Sequence, residues 1–140
     1  MERQRLTATR PSVTHKLILS LNDEPLTFYF TIGFFPDGKV GEVFIIVDQD
    51  CDGLGSAYHS LGIALSMLFQ SEWRVRQIAK KFANIKSVPN GFTGNAAVPN
   101  AQSVVDYLVR WMLSEEFTEA KAIALKNWEK RNEKNKQKNK

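Results

Sequence analysis

The stretch LTFYFTIGFFPDGKVGEVFIIV (residues 26–47) contains two strand patterns joined by a turn pattern. Aromatic and β-branched residues alternate over residues 26–35 and again over residues 40–47, as expected for half-buried strands. Between them, PDGK (residues 36–39) reads as a hairpin turn, since proline presets φ and Asp-Gly tolerates positive φ. The stretch therefore predicts two adjacent antiparallel strands.

The segment before this hairpin predicts a third strand. SVTHKLILSL (residues 12–21) alternates around Leu17, Leu19 and Leu21, and residues 22–25 supply a second turn. Three consecutive strands with short turns make an antiparallel meander.

After the strands the hydrophobic period changes to that of helices. GLGSAYHSLGIALSMLFQ (residues 53–70) places its large apolar residues three or four apart, on one helical face. Further helices are predicted over residues 71–84 with Ser71 as N-cap, over residues 101–113 with Asn100 as N-cap, and from Ser114 or Glu116 to Trp128. Strands first and helices after predict an α+β domain in which the C-terminal helices pack on one face of the sheet.

The charge of the chain is concentrated at its C-terminus. Residues 129–140, EKRNEKNKQKNK, carry six Lys or Arg and two Glu, which is the whole net charge of +4. We predict an N-terminal arm (1–11), a single domain (12–128) and a basic, disordered tail (129–140). A solvated helix end explains this tail better than nucleic-acid binding does, so nucleic acid is not an expected partner.

The composition is that of a globular protein outside the membrane. Apolar residues make up 43% of the 140, yet no apolar run reaches the roughly 18 residues that a membrane helix needs. The N-terminus lacks the apolar segment of a secretory signal, and Cys51 has no partner for an internal disulfide. A cytoplasmic location is expected.

The motifs that suggest catalysis or cofactors are weak. DQDCDG (residues 48–53) matches the first half of a calcium loop, but His59 stands where the twelfth ligand should be glutamate. GLGS (residues 53–56) lacks the third glycine of a dinucleotide fingerprint. His15 and His59 have no cysteine at metal spacing. We therefore expect no metal, no cofactor and no enzymatic activity.

The loop KFANIKSVPNGFTGN (residues 81–95) is the strongest candidate for a binding site. Its asparagine amides offer donors and acceptors suited to a base or ribose, and its two phenylalanines could stack on a base. An arginine on the following helix could pair with a phosphate. A merely long structural loop is the open alternative, since Phe82 also continues a core stripe. The candidate ligand-binding residues are Phe82, Asn84, Phe92, Thr93, Asn95 and Arg110.

Five motifs, taken in order, resemble the TSCPD domain found near the C-terminus of adenosylcobalamin-dependent ribonucleotide reductases. They are RPSVTHK (10–16), DGKVGEVFI (37–45), KF (81–82), GFTGN (91–95) and SVVDY (103–107). The likeness covers about three quarters of the chain, from Thr9 to Leu113. The chain lacks the reductase barrel, its catalytic cysteines and the cysteine pairs beyond this domain, so the resemblance does not imply reductase activity.

As a free-standing domain, the chain also resembles the phage proteins that inhibit Thoeris defence by sequestering a cyclic ADP-ribose signal. That resemblance implies a noncatalytic sponge that binds a cyclic ADP-ribose isomer. It assigns Phe82 to base stacking, Asn95 and its loop to polar contacts, and Arg110 to phosphate. The alternative is an accessory or regulatory module associated with ribonucleotide reductase.

Two further expectations concern assembly. Three tryptophans and nine phenylalanines are many for a thin three-stranded sheet and its helices, so we expect a dimer or higher homo-oligomer. In the N-terminal arm, Arg3, Arg5 and Arg10 are either solvated or form a second anionic site where arms meet around an oligomer axis. Such a site would suit a cyclic oligonucleotide.

Overall fold

The N-terminal half folds as the predicted three-stranded antiparallel meander. The computed structural model describes residues 3–48 and 53–138. Its main sheet has the order β1-β2-β3, and each strand pairs antiparallel with its neighbour in the chain. The strands are β1 (Ser12–Leu21), β2 (Glu24–Phe34) and β3 (Val40–Val47).

The turn between β1 and β2 is tighter than predicted. Asn22 and Asp23 alone connect the strands, and both have positive φ, at 51° and 63°. Asparagine and aspartate tolerate this left-handed geometry, whose twist suits a two-residue hairpin. The turn pairs Leu21 with Glu24 and so sets the register of the whole hairpin.

The buried face of the sheet is built from alternate residues, as the sequence pattern requires. Phe28, Phe30 and Phe34 of β2 are fully buried, and burial of each such ring stabilises the fold by about 1.5–3 kcal/mol. Tyr107 stacks on Phe30 with centroids 6.1 Å apart, and Phe117 packs on Phe34 at 5.9 Å. The C-terminal helices thus cover this face, which confirms the α+β class.

Over residues 53–138, four helices and a short two-stranded ribbon follow the sheet. No helix within residues 3–48 and 53–138 is long and apolar enough to cross a bilayer. The elements are α1 (Leu54–Gln70), α2 (Val75–Phe82), β4 (Gly91–Phe92), β5 (Asn100–Ala101), α3 (Val104–Trp111) and α4 (Glu115–Lys138).

Two of the predicted helix caps are wrong. Ser71 ends α1 instead of starting α2, and α2 begins four residues later, where Gln77 accepts a hydrogen bond from the Arg74 N–H at 2.8 Å. Asn100 lies in β5, and the N-cap of α3 is Ser103, whose hydroxyl accepts from the Asp106 N–H at 3.1 Å. Ser-x-x-Asp before an apolar run is the stronger capping signature.

The basic tail was predicted to be disordered, but the structure continues α4 through residues 129–138. Lys, Arg, Glu and Gln, which make up most of this segment, are all good helix formers.

Helix α1 covers the free edge of β3. Gly62 lets the helix approach closely, since a Cβ there would lie 2.9 Å from the Val43 carbonyl oxygen. The Ser66 hydroxyl accepts from the Val43 N–H at 2.8 Å, and the Gln70 amide donates to the Gly41 carbonyl at 3.0 Å. These contacts satisfy backbone groups of an edge strand that would otherwise be open to other chains.

Candidate functional site

Both ends of the loop between α2 and α3 are fixed by one carboxylate that the sequence analysis missed. Asp106 is fully buried on α3. Its Oδ1 accepts from the Asn84 N–H at 2.7 Å, and its Oδ2 accepts from the Gln102 N–H at 2.9 Å. We call Asp106 and its partners Asn84, Gln102 and Arg110 the Asp106 staple.

Arg110 is the charged partner of this carboxylate, one helical turn further along α3. Its Nη1 lies 3.2 Å from Asp106 Oδ2 and also donates to the Asn100 carbonyl at 2.9 Å. Its Nε and Nη2 make no hydrogen bond within the described ranges, and 38% of the side chain is exposed. The bonds of Nη1 therefore hold the guanidinium in place, while Nε and Nη2 remain able to bind an anion.

The ribbon β4–β5 connects Phe92 to this arginine through Asn100. Phe92 pairs with Asn100, whose carbonyl accepts the Arg110 bond, and the Thr93 N–H donates to Pro99 at 2.9 Å. The Phe92 ring is 75% exposed. Side chains of paired residues lie on the same face of a ribbon. An exposed aromatic ring and a positioned guanidinium are thus joined through Asn100.

The tip of the loop is held by its own polar side chains. The Thr93 hydroxyl donates to the Val98 carbonyl and accepts from the Asn95 N–H, which lies 3.1 Å away. The Asn95 Oδ1 accepts from the Ala97 N–H at 2.8 Å. Thr93 and Asn95, both predicted to meet a ligand, therefore also fix the shape of the loop.

The amide nitrogen of Asn95 joins a polar cluster that spans β1, α3 and α4. It donates to the Tyr107 hydroxyl at 3.1 Å and to Glu116 Oε1 at 3.3 Å. Tyr107 bonds His15 Nε2 at 2.7 Å, and the His15 ring stacks on Trp111 with centroids 3.8 Å apart. We call this set the Tyr107 cluster: His15, Asn95, Tyr107, Trp111 and Glu116.

Burial sets the protonation states in the Tyr107 cluster. It raises the pKa of Tyr107 to about 12, so the phenol keeps its proton at neutral pH. Because that hydroxyl accepts from Asn95, its own proton goes to His15 Nε2. Burial also lowers the pKa of His15 below 6.5, although Glu116, 3.8 Å from Nδ1, opposes the shift. A neutral His15 with its proton on Nδ1 therefore accepts from the Tyr107 hydroxyl at Nε2, while Nδ1 lies beyond hydrogen-bonding distance of Glu116.

We predict that acid destabilises the protein through His15. Between its unfolded pKa of 6.5 and its lower folded pKa, the unfolded state binds more protons, so the free energy of unfolding falls as pH drops below 6.5. Melting temperatures should fall less between neutral pH and about pH 5.5 in His15→Gln than in the wild type. His59→Gln, at an exposed histidine on α1, is the matched control. An equal fall in His15→Gln and wild type would remove His15 as the cause.

Two predicted ligand residues have structural roles. The Phe82 side chain is partly buried and packs against the hydrophobic core, which favours the core interpretation over stacking on a ligand. Asn84 has φ +66° and binds Asp106 through its backbone. Its side chain is exposed beside the start of the loop.

The arm arginines do not converge within one chain. Arg3 donates through Nε and Nη2 to the Gln70 amide oxygen, at 3.0 and 2.7 Å. Arg10 forms a two-point ion pair with Glu42, including Nη2 to Oε1 at 2.9 Å, and Arg5 is exposed. The arm is docked against β3 and α1, and a second anionic site between arms stays a prediction.

The remaining motifs contribute no site that the structure describes. Residues 49–52 of the calcium-like stretch, including Cys51, lie outside the described residues. Across residues 3–48 and 53–138, no group of three or more His, Cys, Asp or Glu is placed to hold a metal ion.

Comparison with known proteins decides the family. The family model of the TSCPD domain matches residues 4–115. The chain belongs to the TSCPD domain family. This confirms the resemblance drawn from the five motifs. A comparison with solved structures gave no match.

Curated relatives of this TSCPD chain carry the domain within much longer proteins. A vitamin B12-dependent ribonucleotide reductase of Rhodopirellula baltica is 36% identical over 110 residues, which are 79% of this chain and 10% of that protein. The enzyme of the same name from Streptantibioticus cattleyicolor is 31% identical over 108 residues, 77% of this chain and 17% of the relative. The chain thus spans between a tenth and a sixth of these relatives.

Among the site residues that sequence reasoning missed, only Asp106 left a local signal, the Ser103-x-x-Asp106 cap. His15 and Glu116 join Tyr107 from β1 and α4, across sequence distances that no local pattern spans.

Proposed function

We propose that this TSCPD protein is a noncatalytic nucleotide-binding protein that sequesters a cyclic ADP-ribose isomer, as the phage anti-Thoeris sponges it resembles do. One observation carries the proposal. Phe92, whose ring is exposed, is the strand partner of Asn100, and the Asn100 carbonyl accepts a hydrogen bond from the partly free Arg110 guanidinium. Such a ligand requires an aromatic ring that stacks on its base and a guanidinium that binds its phosphate.

The rigidity of the loop supports tight binding. The Asp106 staple holds both loop ends, and the Thr93 and Asn95 bonds hold its tip. A site that is already ordered loses less conformational entropy when a ligand binds. Ile85 and Val88 on the same loop are also exposed and add apolar surface that a bound ligand would cover.

Retention without cleavage is supported by the state of the Tyr107 cluster. With its pKa raised to about 12, Tyr107 does not act as a base at neutral pH. Neutral His15 already accepts the Tyr107 proton at Nε2. Tyr107 and His15 are thus bonded to each other, and the Glu116 carboxylate accepts from Asn95 and Trp111, so the titratable groups of the cluster have internal partners, which suits a site that holds its ligand unchanged.

Self-association remains part of the proposal. The outer face of the sheet, opposite the helices, exposes Ile18, Phe44 and Ile46. Burial of these side chains against a second copy would remove apolar surface from water. Light scattering at micromolar concentration should give at least a dimer mass, and a monomer mass would contradict this part.

Equilibrium dialysis against cyclic ADP-ribose isomers tests the proposal. The protein should deplete one isomer from the outer chamber in proportion to the number of sites. Linear ADP-ribose, which cannot adopt the same closed shape, should be depleted far less. No depletion of any isomer by the folded protein would contradict the sequestration function.

The relatives favour a second candidate, an accessory module of ribonucleotide reductase. Both reductases described above carry this domain as a small fraction of their length. In that case the site would bind a nucleotide regulator or the reductase itself. Capture of a purified B12-dependent reductase by this chain, without depletion of any cyclic isomer, would favour this candidate over the sponge.

A further inference from the structure

A cavity lies between the β2–β3 hairpin, the junction of α1 with α2, and the start of α4. Its volume is about 490 Å³, within the range of small-molecule sites. None of its lining residues belongs to the loop, the Asp106 staple or the Tyr107 cluster. We call it the hairpin cavity.

The floor of the hairpin cavity is apolar and formed by core residues. Phe69, Met112 and Phe117 line it, and each is at most 4% exposed. At the rim, Trp73 also lines the cavity, with 38% of the residue exposed. Tryptophan offers the largest face for stacking a planar ring, and its partial exposure leaves part of that face accessible.

Positive charge predominates around this ring. Arg74 and Lys121 line the cavity, and neither forms an ion pair within the described parts of the chain. Lys39 is 3.9 Å from Asp37, so those two charges offset each other. The only other acidic group on the wall is Glu72. The lining therefore carries one positive charge in excess, placed beside an exposed aromatic ring.

We propose that the hairpin cavity binds a small planar aromatic anion of about mononucleotide size. The ring of the ligand stacks on Trp73 above the apolar floor. Its anionic group binds Arg74 and Lys121. Arg74 is the N-cap of α2, and Lys121 lies in the first turns of α4. This site is separate from the loop and does not depend on sequestration of a cyclic nucleotide there.

Calorimetric titration with AMP, adenosine and ribose 5-phosphate tests each half of the site. All titrations use the Phe92→Ala variant, so that the loop contributes little to the measured binding. AMP should bind at least about tenfold more tightly than adenosine, which lacks the anion, and than ribose 5-phosphate, which lacks the ring. If ribose 5-phosphate binds as tightly as AMP, or AMP does not bind at millimolar concentration, the proposal is overturned.

Variants of the wall locate the binding. Trp73→Ala and Arg74→Gln should each lower the affinity for AMP by about tenfold or more. Trp73→Phe should keep most of the wild-type affinity, because phenylalanine retains an aromatic ring. Arg76→Gln, an equal charge change at an exposed position on α2, should leave AMP affinity unchanged. If Trp73→Ala does not fold, the AMP affinities of Arg74→Gln and Arg76→Gln still show whether AMP binds in the hairpin cavity. Equal AMP affinity in those two variants would overturn the site.

Discussion

Asp106→Ala is expected to destabilise the protein by about 3–5 kcal/mol. The carboxylate is fully buried and accepts from the Asn84 and Gln102 N–H groups and from Arg110. Alanine leaves both loop ends without their acceptor, and each buried donor left unpaired costs about 1–3 kcal/mol. Loss of one partner of a buried ion pair adds to this. Urea unfolding monitored by tryptophan fluorescence measures the change.

Two further variants sharpen this test. Asp106→Asn keeps the shape and one good acceptor, so it should lose less stability than Asp106→Ala. Glu119→Ala removes an exposed carboxylate on α4 that forms no ion pair or side-chain hydrogen bond within the described ranges, and should change stability by no more than about 0.5 kcal/mol. If Asp106→Ala unfolds at the wild-type urea concentration, the loop does not depend on the Asp106 staple.

Phe92→Ala is expected to weaken binding of the cyclic ADP-ribose isomer by about 1–3 kcal/mol, or roughly one to two decades in affinity. The ring is 75% exposed, so its loss removes a stacking face and little folded-state packing. The unliganded melting temperature should therefore stay near that of the wild type. Titration and scanning calorimetry on the wild type and Phe92→Ala measure the ligand affinity and the unliganded melting temperature.

The matched control for Phe92 is Ile123→Ala on α4, where a comparably exposed apolar side chain lies outside the loop. This variant should keep both affinity and melting temperature. Phe82→Ala should instead lower the melting temperature, because that side chain packs on the core. Wild-type affinity in Phe92→Ala would show that stacking occurs elsewhere.

The sheet could be predicted because its information is local. Alternation over β1, β2 and β3 and the PDGK turn each lie within about ten residues, and burial of one face then permits a single register. The bounds of β1 and β3 agree with the prediction to the residue. Helix starts were harder, because Asn100 and Ser103 both suit an N-cap; the Ser103-x-x-Asp106 spacing and the pairing of Asn100 in β5 identify Ser103 as the cap.

The candidate site was predictable only in part. Composition pointed to the loop and to Arg110, and the structure joins Arg110 to Phe92 through Asn100. The internal partners of Arg110 and Asn95 could not be predicted, since Asp106 and Glu116 are reached through the tertiary fold. Composition also could not separate a core Phe82 from an exposed Phe92, because both flank the same polar loop and the burial of each ring depends on the tertiary fold.

The central claim is that the protein holds a cyclic ADP-ribose isomer without changing it. Recovery of the ligand tests this most directly: the protein is incubated with the isomer, freed of unbound ligand, denatured and analysed by mass spectrometry. We expect recovery of the intact cyclic ligand in stoichiometric amount from the wild type and much less from Phe92→Ala. Recovery of linear ADP-ribose, or of no ligand at all, would contradict it.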